Sequence, residues 1–188
     1  MSDLSSRLVV VSGPSGAGKD TIVAKLLAMD ESFSLSVSAT TRAPRGEEVD
    51  GENYYFLTTE DFEKRIADDE FIEYAKYGSN YYGTLKCDVE QRIKNGKTVI
   101  LVIEVNGAAN IRRIYPDSLS VFIMPPSETV LEARLRKRQT DSEEAILNRL
   151  NIAKTEISRS CDYDYIVIND ELDRAVNEAH EIIKNAQK

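Results

Sequence analysis

Seven consecutive residues, Gly13-Pro-Ser-Gly-Ala-Gly-Lys19, set three glycines beside a lysine. Glycine lets a loop curl until its backbone N–H groups converge, and lysine adds a full positive charge at that point. The chemistry such a spot suits is phosphate binding. The loop follows the apolar run Leu8–Ser12 and precedes a helical pattern over Thr21–Met29, with Ile22, Val23, Leu26 and Leu27 on one face. An anion held there would also meet the positive end of a helix. Loops of this kind place Ser or Thr after the lysine, to ligate Mg²⁺. Here that position is Asp20, followed by Thr21. Asp20 either ligates Mg²⁺, directly or through water, or points away and leaves the work to Thr21 or solvent. The sequence leaves both open.

A second concentration of chemistry lies at Arg134, Arg136, Lys137 and Arg138, with Arg149 on the following helical pattern. Arg134 and Arg138 are spaced i, i+4 and share a helix face. Guanidinium groups beside a phosphoryl group in transfer can be worth roughly 10³–10⁵ in rate. This cluster runs against the sign of the whole chain, which has 24 Lys and Arg, 32 Asp and Glu, and a net charge of −8. A surface of that sign repels nucleic acid and anionic membranes, so neither is expected as a partner. Cys87 and Cys161 are the only cysteines and His180 the only histidine, which excludes a disulfide framework and a four-cysteine zinc site. A membrane-spanning helix needs about 20 apolar residues, far more than any run here, and no signal-like N-terminus is visible, so a cytoplasmic location is expected.

The elements that must carry these residues read as one α/β domain of 188 residues. Thr98–Val105 is apolar nearly throughout, as a strand covered on both faces should be, and Leu119–Met124 and Tyr165–Ile168 look alike. Helices are predicted over Lys86–Asn95 (stopped by Gly96), Ser127–Gln139, Glu143–Ser158 and Leu172–Asn185. Ser127 is the expected N-cap of the second, and Thr140 with Glu143 suits a capping box at the third. Leu35–Thr84 differs in being rich in tyrosine. Short strands are expected near Ser34–Ser38, Tyr54–Leu57, Phe71–Ala75 and Tyr81–Tyr82, with one small helix carrying Phe62 and Ile66 behind a Thr59 cap. The stretch reads as an inserted lobe of mixed strands.

Several motifs join the loop in a fixed order: Ser36-Val-Ser-Ala-Thr-Thr-Arg42-Ala-Pro-Arg45, Gly51-Glu-Asn-Tyr54, Phe71-Ile-Glu73-Tyr74, Asn80-Tyr-Tyr82-Gly83-Thr84, Ile103-Glu104-Val-Asn-Gly107 and Ile168-Asn169-Asp170. In order and spacing the chain resembles guanylate kinases from about Val9 to its end. The resemblance implies a P-loop NTPase core with a parallel sheet flanked by helices (1–33, 86–125 and 159–188), an inserted mixed-strand GMP-binding lobe (34–85) and a helical lid (126–158). It implies transfer of a phosphoryl group from ATP to GMP, and to dGMP, with Mg²⁺. By residue, Gly13, Pro14, Ser15, Gly16, Ala17, Gly18, Lys19, Asp20 and Thr21 match the ATP-phosphate loop, and Asn169 matches a position near adenine. Arg42, Arg45, Tyr54 and Tyr82 match positions that hold the GMP phosphate. Ser38, Glu73, Thr84 and Glu104 match positions around guanine. Lys19, Arg134, Arg138 and Arg149 match the transfer site.

The chemistry agrees with that carry-over. Guanine offers N1–H and an exocyclic amine, which one carboxylate such as Glu73 accepts together, and O6, to which a hydroxyl of Ser38 or Thr84 can donate. Adenine has no N1–H, and leaving a buried carboxylate unpaired costs about 1–3 kcal/mol or more. Two departures from the family stand out: Glu104 replaces a frequent Asp, and Val102 stands where an acid is common. The Asn-Lys-x-Asp motif of regulatory GTPases is absent. An AMP kinase would share the loop and lid, so the base-side residues alone argue for guanine.

Overall fold

The computed structural model describes residues 6–137 and 142–186. In chain order the first elements are β1 (Leu8–Ser12), α1 (Lys19–Met29), β2 (Phe33–Leu35), β3 (Ser38–Thr40), β4 (Tyr55–Phe56), α2 (Thr59–Ala67), β5 (Phe71–Tyr77) and β6 (Asn80–Leu85). There follow α3 (Lys86–Lys94), β7 (Thr98–Val102), α4 (Val105–Ile114), β8 (Leu119–Met124), α5 (Glu128–Lys137), α6 (Glu143–Ser158), β9 (Tyr165–Ile168) and α7 (Leu172–Ala186).

Five strands form a parallel sheet in the order β2-β7-β1-β8-β9. All five residues of β1 are buried, and its side chains alternate between two cores. Val9 and Val11 join Ile22, Val23 and Leu26 of α1 and Ala175, Val176, Ala179 and Ile183 of α7. Leu8 and Val10 join Val89 and Ile93 of α3 and Val105, Ala108 and Ile111 of α4 on the opposite face. A strand covered on both sides must be apolar at every position, which is why the period-2 signal vanishes from the sequence here.

A second sheet runs β4-β3-β6-β5 and is mixed: β3 pairs parallel with β4, and β6 pairs antiparallel with both β3 and β5. Its own small core stacks Phe62 of α2 on Phe71 at 4.3 Å and on Tyr81 at 5.2 Å, with Ala39 and Leu85 beside them. The β5–β6 register slips between Phe71 and Glu73, so that Glu73 pairs with Thr84. A bulge of this kind inserts one residue and re-aims the next. The inserted residue, Ile72, is buried in the core beside α3 and α4, and Glu73 is set directly opposite Thr84.

The two arginine-bearing helices α5 and α6 pack on each other through Leu131, Leu135, Ile146 and Ala153. Ser127 Oγ accepts from Val130 N at 3.2 Å, as its N-cap reading requires. At the far side of the main sheet, Asp30 joins three segments. Its carboxylate accepts from Ser32 N (2.9 Å) and Ser32 Oγ, and lies 3.1 Å from His180 Nε2 and 3.0 Å from Lys184 Nζ of α7.

Several element readings need correction. The strand expected near Ser34–Ser38 is two: β2 belongs to the parallel sheet and β3 to the mixed one, with Ser36–Val37 crossing between them. The apolar run Thr98–Val105 ends as a strand at Val102, and Val105 opens α4, which the sequence reading left without a helix. Asn106 and Gly107 are weak helix formers and hid it. The α2 cap is Thr58, whose hydroxyl accepts from Asp61 N at 3.1 Å, and Thr59 is the first helical residue. Ser142 caps α6. Arg138, Thr140 and Gln139 lie outside the described residues, so the capping box read at Thr140 and Glu143 is not described.

Candidate functional site

The Gly13–Lys19 loop spans the gap between the C-terminal end of β1 and α1, at the edge where ligands of parallel sheets sit. Two of its glycines are required by close approach. A Cβ on Gly13, at φ +146°, would lie 2.2 Å from the backbone oxygen of Ile123 in β8. A Cβ on Gly18, at φ +94°, would lie 2.3 Å from Asn169 Nδ2. Asn169, 5% exposed, donates from Nδ2 to Ala17 O at 2.7 Å, and its own N–H bonds Met124 O at 2.8 Å. Arg134 of α5 donates to Asn169 O at 2.8 Å and to Ala17 O at 3.4 Å. The loop is thereby tied to both β9 and α5. A cavity of about 350 Å³ opens here, lined by Gly16, Gly18, Thr21, Arg134, Asn169 and Asp170.

On the other side of the loop, a cleft of about 380 Å³ is lined by Lys19, Asp20 and Thr21 together with Arg149 and Glu156 of α6. Lys19 Nζ donates to Gly13 O and, at 3.1 Å, to Pro14 O, so the ammonium folds back over its own loop. Burial and the Glu104 charge raise the proton affinity of Glu156, and the nearby Lys19 ammonium opposes the rise. Asp20 and Thr21 both face this cleft as oxygen donors. Among the described residues no three or more His, Cys, Asp or Glu side chains gather to hold a metal ion by themselves.

A third cavity, of about 480 Å³, lies between the two sheets and is lined by Ser38, Tyr54, Glu73, Tyr82 and Glu104 among others. Five sequence-predicted residues are thus brought together from β3, β5, β6, the loop before β4 and the N-terminus of α4. Thr84 is fully buried behind the wall, and its hydroxyl donates to Glu73 Oε1 at 2.9 Å. Its proton is committed to the carboxylate, so it orients Glu73. Burial raises the Glu73 carboxyl's proton affinity, the Thr84 bond lowers it, and Glu104 raises it further. Gly107 lets α4 approach: a Cβ there would lie 3.1 Å from Glu73 Oε2.

Neither of the expected phosphate-binding arginines lines this cavity; Arg42 adjoins it through Tyr54. The Arg42 guanidinium lies 5.2 Å from the Tyr54 ring centroid and forms a two-bond fork with Glu48, both N···O distances being 2.9 Å. Arg45 is exposed at the same turn, and its backbone N–H bonds Glu48 at 2.7 Å. Arg138 lies outside the described residues. Tyr77, at the tip of the β5–β6 hairpin, and Glu104 line both the 480 Å³ cavity and the 380 Å³ cleft, and so mark the passage between them. The sequence reading missed Tyr77, Glu48 and Glu156. Glu48 could have been sought as an acid six residues from Arg42; Tyr77 and Glu156 gave no local signal.

Three comparisons bear on this arrangement. A sequence model of the guanylate kinase family matches residues 5–186. The chain is 49% identical over 178 residues to a guanylate kinase of Synechocystis sp., covering 95% of this chain and 92% of that protein. It is 49% identical over 177 residues to one of Carboxydothermus hydrogenoformans, covering 94% of this chain and 86% of that one. The crystal structure of guanylate kinase from Anaplasma phagocytophilum superposes with a TM-score of 0.74 at 32% identity, over 96% of this chain and 85% of that one. A shikimate kinase from Bacteroides thetaiotaomicron, at TM-score 0.51 and 15% identity, shares the fold alone.

Proposed function

The chain belongs to the guanylate kinase family, and we propose that it moves the γ-phosphoryl group of ATP to GMP between the two loop-side clefts and the cavity joining the sheets. It is an ATP-dependent GMP kinase: an oxygen of the GMP phosphate bonds to the γ-phosphorus, the bond from that phosphorus to the β–γ bridging oxygen breaks, and ADP and GDP leave.

The observation that carries the assignment by residue is Glu73. A half-buried carboxylate, aimed by the Thr84 hydroxyl and lining a cavity of base-plus-ribose size, suits a ligand edge with two adjacent donors. Guanine N1–H and its amine supply that edge. Ser38 supplies a hydroxyl on the same wall. Tyr54, Tyr82, Arg42 and Arg45 then hold the acceptor phosphate, as arginine forks and phenols suit its oxygens. On the donor side the Gly13–Gly18 amides and Lys19 take the β- and γ-phosphates, with Thr21 and Asn169 along the adenosine side. Arg134, expected at the transfer site, instead bonds Asn169 O and Ala17 O and lines the cavity beside Asn169. Arg149, with Arg138, meets charge developing on the transferred group. Glu104, at the passage, keeps one wall of the acceptor cavity polar.

The oxygen side chains of the cleft suit Mg²⁺, a hard cation that takes oxygen ligands and needs few of them from the protein. Asp20 and Thr21 are the residues that would hold it, directly or through water. It would neutralise charge on the β- and γ-oxygens, which a loop carrying Asp20 needs. No covalent enzyme intermediate is required, so positioning and charge supply the rate.

A coupled assay of ADP release with GMP, dGMP, AMP and UMP as acceptors tests the reading. GMP should lead by about 10⁴ in kcat/KM over AMP, the scale expected of a site built to hydrogen-bond its substrate. Faster turnover of AMP would overturn it.

A further inference from the structure

The β5–β6 hairpin carries four tyrosines, and three of them have ring partners. Tyr74 lies beside Phe71 at 6.2 Å, Tyr81 stacks on Phe62, and Tyr82 meets Tyr54 edge-on at 6.4 Å. Tyr77 differs. It is 72% exposed, at the end of β5 where the chain turns into β6. Side chains alternate along a strand, so Glu73, Ala75 and Tyr77 share a face, and all three line the cavity between the sheets. At a rise of about 3.3 Å per residue, Tyr77 stands about 13 Å along the strand from Glu73, past the length of a base. There it also lines the cleft over the Gly13–Lys19 loop.

A second exposed apolar side chain reaches that cleft from α6. Arg149, Ile152 and Glu156 are spaced i, i+3 and i+7 on one helix face, and all three line it. Ile152 is 49% exposed. Every other lining residue is a glycine, a hydroxyl or a charge. We propose that Tyr77 and Ile152 form a two-part apolar cover over the γ-phosphoryl group, meeting across the cleft when both nucleotides are bound and so deciding that GMP, and not water, receives the phosphoryl group. The inference rests on the GMP-kinase reading above. Water in the cleft is a competing acceptor. Its oxygen bonds to the γ-phosphorus, the bond to the β–γ bridging oxygen breaks, its protons pass to solvent, and ADP and inorganic phosphate leave. Polar lining groups bind phosphate oxygens but hold water as well. Two apolar side chains brought together remove their area from water and leave the passage dry. The lobe supplies one and α6 the other, so the cover is complete only once the two have drawn together around both substrates.

The experiment follows GDP and inorganic phosphate together, by phosphorus NMR, in reactions of ATP with GMP. It compares the wild-type protein with Tyr77→Ala, Tyr77→Phe, Ile152→Ala and the double change to alanine. Tyr77→Ala should raise the ratio of inorganic phosphate to GDP about 10-fold or more, the scale of one large apolar contact. Ile152→Ala should raise it too, and the double change should fall short of the product of the two, because each side chain's partner is the other. Tyr77→Phe should keep the wild-type ratio, since the ring does the covering. Leu147→Ala alters a similarly exposed side chain of α6 outside the cleft lining, and should keep it as well. These are exposed positions, so every variant should unfold within about 2 °C of wild type. An unchanged ratio in Tyr77→Ala would overturn the proposal. So would an equal rise in Tyr77→Phe, which would give the role to the hydroxyl, or in Leu147→Ala, which would mean a generally loosened helix. A double effect equal to the product of the single ones would overturn it too, since the side chains would then not meet. A wild-type protein that forms no GDP from GMP would remove the reading beneath it instead.

Discussion

Burial favours the protonated form of Glu73, and the Thr84 hydroxyl offsets that preference while Glu104 reinforces it. A carboxyl whose folded pKa lies above its unfolded value binds more protons in the native state. It therefore costs stability above that folded pKa, and the cost is relieved as pH falls toward the unfolded value. Glu73→Gln should accordingly unfold at a higher temperature than wild type at pH 7, with the gap closing in weak acid, by scanning calorimetry. The same variant should bind GMP about 10–100-fold more weakly, because a neutral amide cannot accept both guanine donors. A variant that lost GMP affinity and also unfolded earlier at pH 7 would contradict the burial argument. Glu73 itself was legible in the sequence through its motif, and so were Ser38, Tyr54 and Tyr82. What was not legible is that Thr84 spends its proton on Glu73, since a bulge sets the two opposite each other and no local pattern encodes a register slip.

Elements here are joined by polar clasps as well as by apolar cores. Asp30, just past the end of α1, gathers Ser32, His180 and Lys184, and the Ser32 bonds above all hold its carboxyl well below the usual carboxylate range. A depressed folded pKa contributes stability that is present above the unfolded value and lost as pH falls through the folded one. Asp30→Asn should therefore cost about 1–3 kcal/mol at neutral pH, the scale of bonds to a charged group, and should flatten the acid limb of a stability-against-pH curve. Urea unfolding at several pH values reads both. The sequence could not announce this clasp, whose partners lie about 150 positions apart in the hydrogen bond from His180. Strands β1 and β8 were legible to the residue because runs buried on both faces need unbroken apolar character. Strand β9, expected to be covered likewise, is an edge strand with Tyr165, Ile166 and Ile168 exposed and was legible only as an apolar run. Helix α4 was not, because its Asn106 and Gly107 are poor helix formers kept there by Gly107's approach to Glu73.

At the scale of the molecule, two sheets, joined where Ile72 of β5 enters a core of the main sheet, flank the cavity that holds Glu73. A ligand that bridges both sheets binds the folded state alone, so GMP should raise the unfolding temperature. At about 100 times its Kd the gain is about 2.7 kcal/mol, or roughly 5–10 °C for a chain of this size. AMP at equal concentration should shift it far less, by differential scanning fluorimetry. Equal shifts would place the selectivity in the transfer step. The net charge of −8 sets the background against which Lys19 and the arginines must work. Among the described residues no helix is long and apolar enough to cross a membrane. His180, the chain's sole histidine, lies tilted beside Phe33, ring centroids 5.6 Å apart, within the Asp30 clasp. In a proton spectrum its two ring C–H signals are the only ones of their kind and assign themselves, so the clasp comes with a native spectroscopic label that needs no isotope scheme and no engineered dye.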